Sequence, residues 1–552
     1  MIRFKPLFIF LFLFLFLACT ASKNQFSKKD VQRSQKLVGL NFDKKHIDTL
    51  YPYLQRNKKG FDSLRKYTLD INTVPAVRFD PLPMNFVPKS QSGFPEWEIP
   101  TDVDLPKNKA DLAFYSIPQL ASLIKNKKIS ALELTQFFIS RLKKYNDILQ
   151  CTITVTEEMA LEQAKLMDAE LATGKYRGIL HGMPYGVKDL MAVEGYKTTW
   201  GAEPYRDQQI DMTATVVQKL QEAGGILVAK LVSGSLARGD VWFNGKTKNP
   251  WDTEQGASGS SAGSGSATAA GLVPFALGTE TLGSITSPSS RNGITGLRPT
   301  YGRVSRHGVM SLSWSMDKVG PMARSAEDCA IVYSVISGKD SLDAMTTDYP
   351  DGFEPDRDYK TLKVAYLKKD IEKDSSLGKA NLEKALQTFK EIGVELNEVA
   401  LPKDVPYSSF DIILRAEAGA FFDDLVRSKE VDKMVEQDQR SRANSLRQAR
   451  FIPAVEYLQA NRQRQVLIEK IHAIMKDYDV LISPSFGNRQ LIITNLTGHP
   501  AIAIPTGLDK EKHPTSLTLV GNLYDEASIL LLAKAFQDHT AFDEMHPDGY
   551  TD

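Results

Sequence analysis

A tract of small residues constrains this chain more than any other feature. It runs from Gly256 to Ile285 as G-A-S-G-S-S-A-G-S-G-S-A-T-A-A-G-L-V-P-F-A-L-G-T-E-T-L-G-S-I. Glycine, serine and alanine in succession also make flexible linkers. A linker should separate domains, yet Ala267 to Gly278 follows at once with core-like apolar residues. Small side chains leading into a buried segment imply backbone packed closely against backbone or ligand. Upstream, M-P-Y-G-V-K-D-L-M places Lys188 near the centre of another apolar run. Serines in a close-packed tract and a lysine in apolar surroundings point to serine hydrolysis without histidine.

The chemistry behind that pairing is direct. A serine hydroxyl is a poor nucleophile until a base takes its proton. Lysine can act as that base near pH 7 only when neutral, and apolar surroundings favour its neutral form. Met183, Val187, Leu190 and Met191 flank Lys188 in this way. Other chemistries find less support. Neither G-x-x-x-x-G-K-[ST] nor G-x-G-x-x-G is present. Gly259 to Gly263 matches G-x-S-x-G, but the residues before it do not read as the buried strand that a nucleophile elbow needs. There is no C-x-x-C or H-E-x-x-H, and the eight histidines are scattered, so neither metal nor cofactor is expected. Cys151 and Cys329 lie in apolar contexts and are expected to be buried thiols, with one disulfide as the alternative.

Hydrophobic residues make up 42% of the 552 and charged residues 24%, which fits a globular chain. The net charge of +1 gives no reason to expect nucleic acid as a partner. At the N-terminus, Arg3 and Lys5 precede an apolar run from Leu7 to Ala18 and then Cys19. This reads as a signal segment over 1–21, and the cysteine after Ala18 resembles a lipoprotein lipobox, although Phe16 and Leu17 depart from it. A lipid anchor at Cys19 would place the protein in a bacterial cell envelope. Residues 22–111 read as a tether and a helical and loop extension, 112–540 as the catalytic domain and 541–552 as a tail. Within that domain, predicted helices over Glu157–Leu171, Thr213–Ala223, Lys379–Ile392 and Asp525–Gln537 alternate with strands. The strands are predicted over Met183–Val187, Gly225–Ala229, Lys363–Tyr366, Val480–Ser483, Ala501–Pro505 and Ser516–Val520. This alternation predicts an α/β fold. Tyr407–Ile474 reads as mostly helical, with its basic stretch Arg440–Arg450 as a solvated helix face.

The tract, with its neighbours, resembles the amidase signature family. The matching segments are S-G-S-S-A-G-S, T-E-T-L-G-S-I, G-L-R-P-T-Y-G-R-V-S-R, D-K-V-G-P-M-A-R-S-A-E-D and N-L-T-G-H-P-A-I-A-I-P-T-G, in the family's order. Pro184 to Asp189 supplies the P-x-x-x-K-D pattern, and 24 positions separate Ser260 from Ser284. The resemblance implies a large mixed β-sheet flanked by helices on both faces. It implies Ser284 as nucleophile, Ser260 after a cis peptide bond as proton relay, and Lys188 as general base. The N–H groups of Thr281, Leu282, Gly283 and Ser284 would form the oxyanion hole. Leu282 stands where the family has glycine, which would narrow the acyl side of the pocket. Glu280 stands for the usual aspartate and Thr286 for a frequent arginine, whose support must come from elsewhere. The implied reaction is amide hydrolysis through an acyl-enzyme on a small-molecule or peptide amide. Two alternatives stay open: the A subunit of a glutamine-dependent amidotransferase, and a non-catalytic envelope binding protein on the same scaffold.

Overall fold

The computed structural model describes residues 26–89 and 93–551. The proposed signal segment and Cys19 lie outside the described residues. Among the described residues, no helix is long and apolar enough to cross a membrane. The chain divides into two compact units between Asp70 and Ile71. Segment 71–111 therefore belongs with the larger unit, and Phe94 against Tyr333 and Trp97 stacked on Phe353 hold it there.

The smaller unit is helical: α1 is Lys28–Ser34 and α2 is Lys44–Leu64. Ser27 caps α1 in a capping box with Asp30, and Asp43 caps α2 through the His46 N–H.

The larger unit is built on eleven strands. They are β1 (Thr152–Val155), β2 (Pro184–Lys188), β3 (Ile226–Leu231), β4 (Phe275–Glu280), β5 (Thr295–Arg298) and β6 (Lys318–Ala323). β7 (Val364–Tyr366), β8 (Leu396–Glu398), β9 (Val480–Pro484), β10 (Ala501–Leu508) and β11 (Pro514–Gly521) complete the sheet. Their spatial order is β1-β3-β2-β4-β6-β5-β10-β11-β9-β7-β8. The sheet is mixed: β2 runs parallel to β3 and β4, whereas β6 is antiparallel to β4.

Alternation along β4 shows why both faces are covered. Phe275 and Leu277 enter one apolar core and Ala276 the other. The second core is closed by α3 (Ala131–Leu149) and α4 (Glu157–Ala172), through Ile139, Leu142, Ala160 and Ala164. α5 (Thr215–Glu222), α8 (Lys379–Glu391) and α12 (Glu526–Asp538) contribute Leu220, Phe389 and Leu530 to the first. Cys151 and Cys329 are both free and buried.

The small-residue tract is not a linker. Ala262–Ala269 forms helix α6, buried at every position. A Cβ at Gly263 would collide with the Cys151 carbonyl oxygen, and one at Gly259 with the Gly239 carbonyl oxygen. Only glycine permits backbone to approach that closely. Between the tract and β3 lie two short hairpins, and the one nearer the tract ends on the strand Asp252–Gly256, outside the main sheet.

Candidate active site

Parallel neighbours end at the same edge of a sheet, so the C-terminal ends of β2 and β4 bring Lys188 and Glu280 together. The edge beyond the carboxyl ends of strands is where open α/β sheets bind ligands. β6 starts at that edge because it is antiparallel, with Lys318 opposite Glu280 and Asp317 just before it. Beyond Glu280 the chain turns through Gly283, at φ +91°, to Ser284 and into α7 (Thr286–Asn292). A side chain at Gly283 would be strained in that conformation.

Three of the residues chosen from the sequence meet here. Lys188 is fully buried, and its Nζ donates to Ser260 Oγ at 2.8 Å and to Thr279 Oγ1 at 2.9 Å. Burial draws the Lys188 amine down to about 7, against the opposing pull of Asp317 and Glu280. The Gly259–Ser260 peptide bond is cis. The Ser261 N–H donates to the Ser284 carbonyl at 3.2 Å, which ties the Ser260 segment to the Ser284 turn. Ser284, Gly259, Thr281 and Leu282 line one cavity of about 350 Å³. Among the described residues, no protein acceptor takes the N–H groups of Thr281, Leu282, Gly283 or Ser284.

The support that sequence reasoning left unassigned comes from β5. Arg298 Nη1 meets Glu280 Oε1 at 2.7 Å, both fully buried. Glu280 Oε2 accepts the N–H groups of Ile285 and Thr286 at 2.9 Å each, and the Thr286 hydroxyl at 3.1 Å. Burial pushes the Glu280 carboxyl up, but Arg298, Lys318 and the Thr286 N–H outweigh it and hold it at about 2. A carboxylate kept charged in this way clamps the two residues that follow Ser284. Thr281, in turn, donates its hydroxyl to Asp317 at 2.5 Å. Removing one partner of a buried pair strands the other charge. Arg298→Met should therefore lower stability by about 3–5 kcal/mol, read as a shift of the urea midpoint. An unchanged midpoint would remove Arg298 from this role.

One sequence expectation needs correction. Arg440–Arg450 is not simply a solvated face. Ser441 caps α10 (Arg442–Ala449), whose inner side carries Arg442, Ala443, Leu446 and Ala449. Arg442 is 5% exposed and lines the cavity beside Ser284. Its Nε and Nη2 donate to the carbonyl oxygens of Leu236 and Ala237 at 3.0 and 3.1 Å. Among the described residues no carboxylate lies within ion-pair distance of it. Burial lowers the pKa of its guanidinium and Arg238 lowers it further, yet an arginine stays charged at neutral pH. A run of basic residues gives no sign of which one turns inward. Only packing on α9 (Asp411–Phe421), which itself packs on α11 (Ala454–Met475), decides it.

The rest of the wall is polar: Asp411, Arg415, Gln439, Arg440, Ser445 and Gln448 line it, with Leu282, Leu312 and Leu414. Asp411 is paired with Arg415. Val74, Arg78, Phe79 and Asp80 of segment 71–111 line a different cavity, of about 300 Å³, with Trp314 and Glu417.

A model of the Amidase family matches residues 133–491. The chain is 32% identical over 485 residues to the glutamyl-tRNA(Gln) amidotransferase A subunit of Carboxydothermus hydrogenoformans, covering 79% of this chain and 99% of that protein. It is 33% identical over 480 residues to the corresponding protein of Coxiella burnetii, covering 78% and 99%. Among solved structures, one from a vestigial protein complex that bears on the origins of an s-triazine catabolic enzyme is similar. It shares 27% identity at TM-score 0.71, with 77% of this chain and 98% of that chain covered. The native peptide amidase of Stenotrophomonas maltophilia shares the fold, at 24% identity and TM-score 0.69, with 78% and 98% covered.

Proposed function

This chain belongs to the amidase family, whose members cleave C–N amide bonds by serine chemistry, and on that premise we propose that Ser284, Ser260 and Lys188 do so here on a small amide bearing a carboxylate. Neutral Lys188 takes the Ser284 proton by way of Ser260 as Ser284 Oγ attacks the carbonyl carbon. The N–H groups of Thr281 to Ser284 hold the tetrahedral oxyanion. The proton passes through Ser260 to the leaving nitrogen, and ammonia or an amine departs. Water then attacks the acyl-enzyme and frees the acid and Ser284.

Arg442 carries the substrate class. A buried guanidinium with an open Nη1 beside the nucleophile suits a carboxylate better than an uncharged acyl chain. The curated relatives favour the amidotransferase reading over a stand-alone hydrolase, since both relatives named above are amidotransferase A subunits. Release of ammonia from glutamine or a similar amino-acid amide is the chemistry that the two readings share. The leader stands as a separate proposal: cleavage before Cys19 and lipidation there, in the cell envelope, tested by the mass of the mature chain.

Ammonia release by the purified chain should be faster from glutamine than from uncharged amides of similar size. Arg442→Ala should raise KM for glutamine by about 10- to 100-fold with a smaller change in kcat. Faster turnover of uncharged amides, or an unmoved KM, would sink the carboxylate reading. Turnover without any partner favours a stand-alone hydrolase; turnover that needs one favours the amidotransferase reading.

A further inference from the structure

The charge of this chain is segregated. Ser22 to Asp70 holds twelve Lys and Arg against five Asp and no Glu, a net +7. From Ile71 onward the count is 54 basic to 62 acidic, a net −8. A balance of +1 over the whole chain hides a basic unit joined to an acidic one.

The basic unit also exposes apolar side chains. Within α2, Tyr53 and Leu64 stand eleven positions apart on one outer stripe, and Phe61, 52% exposed, lies at its border. Leu64 is 73% exposed, and Tyr67 just past the helix is 76% exposed. Leu37, in the turn after α1, and Leu69 are each 72% exposed. This stripe is not the inner face of the unit. That face holds Ile47, at 3% exposure, and Tyr51, which meets the Phe26 ring and donates its hydroxyl to the Phe26 carbonyl.

Cations border the stripe. The Arg56 guanidinium lies 4.9 Å from the Tyr53 ring and that of Arg65 lies 5.9 Å from Phe61. Lys28, Lys58 and Arg65 have acidic partners in Asp48 and Asp62. Among the described residues, Lys29, Lys36, Lys44, Lys45, Arg56 and Lys59 have no carboxylate within ion-pair distance. All six are exposed.

We infer that the N-terminal helical unit docks on an anionic lipid surface, with the Tyr53–Phe61–Leu64 stripe at the acyl boundary and the lysines at the headgroups. An interfacial helix has this pattern: an apolar face with aromatic residues and a polar face rich in lysine and arginine. Each cation near an anionic leaflet adds an increment to binding, so six unpaired ones complement such a surface strongly. Nucleic acid would satisfy the charge but not the leucines. RNA offers ring stacking and phosphate, and neither covers Leu37, Leu64 or Leu69. The inference does not rest on the reaction proposed above or on lipidation at Cys19, because the binding groups lie in the folded helices.

The test uses the full chain and its K44E/K45E/R56E/K59E variant, so that residues 1–21 contribute equally to both. Each is sedimented with vesicles of phosphatidylcholine alone and of phosphatidylcholine with 30% phosphatidylglycerol. The wild type should partition to the anionic vesicles at least about tenfold better than to the neutral ones, and high salt should erase the difference. The variant should lose about 100-fold or more of anionic-vesicle binding. Phe61→Ser with Leu64→Ser, which keeps every charge, should weaken binding as well and guards against a misfolded charge variant. Equal partitioning of the wild type to both vesicle types overturns the inference. So does retention on RNA that phosphatidylglycerol vesicles fail to compete away.

Discussion

Ser284→Ala should lower kcat/KM for amide cleavage by about 10⁶-fold, a barrier higher by about 8 kcal/mol. The size follows from what alanine removes. The nearby hydroxyls are engaged elsewhere, Thr281 with Asp317 and Thr279 and Ser260 with the Lys188 amine, so the acyl-enzyme route closes and only attack by water within the oxyanion hole is left. The N–H groups of Thr281 to Ser284 survive the change, and so does the Glu280–Arg298 clamp beneath them. The variant should therefore fold with an unchanged urea midpoint and still bind substrate. A single-turnover experiment checks this, with acyl-enzyme on Ser284 read by intact mass in the wild type and absent in the variant. Wild-type turnover by Ser284→Ala would end the mechanism.

The second large effect belongs to Lys188. Lys188→Ala should cost about 10²- to 10⁴-fold in kcat, the range of a positioned general base. Its pH dependence separates that role from a structural one. Lys188 must be neutral to accept a proton, and burial sets its pKa at about 7. Below pH 7 the amine is charged and the base is lost; above it the base is present. Wild-type kcat/KM should rise through an apparent pKa near 7 and then level off. The alanine variant should lack that limb and recover part of its rate at high pH, where solvent base substitutes. A wild-type profile flat from pH 5.5 to 9, or a variant that keeps the same limb, would be incompatible with Lys188 as the base.

Much of the site is legible in the sequence because it is local. The segment Thr279–Ile285 contains the end of a strand, a glycine turn and Ser284, all within one stretch of chain. The small-residue tract announces close backbone approach, and α6 bears this out through Gly263 against Cys151. The lysine in its apolar run is indeed buried at a strand end. The α/β alternation likewise follows local periodicity, and the six predicted strands, of the eleven in the sheet, fall within a few residues of their predicted limits.

Residues that act through distant contacts are a different matter. Arg298 in G-L-R-P-T has no role assigned until β5 is placed near β4, with only β6 between them. Thr279 opens T-E-T-L-G-S-I with no role assigned to it, yet its side chain shares the Lys188 amine with Ser260. Arg442 is one basic residue in a run of them, and only its position on the inner side of α10 turns it into a cavity wall.

The sequence alone pointed to the kind of chemistry: two serines 24 positions apart in a tract of small residues, and a lysine in an apolar run. Those properties reside in residue type and in neighbours along the chain, which a linear string preserves. The tertiary structure alone decided what surrounds that chemistry: Arg298 holding Glu280 charged beneath Ser284, and Arg442 left without an acidic partner above it. Both depend on the energy of burying a charge. That energy is set by which groups lie within a few ångströms in space, whatever their separation in sequence.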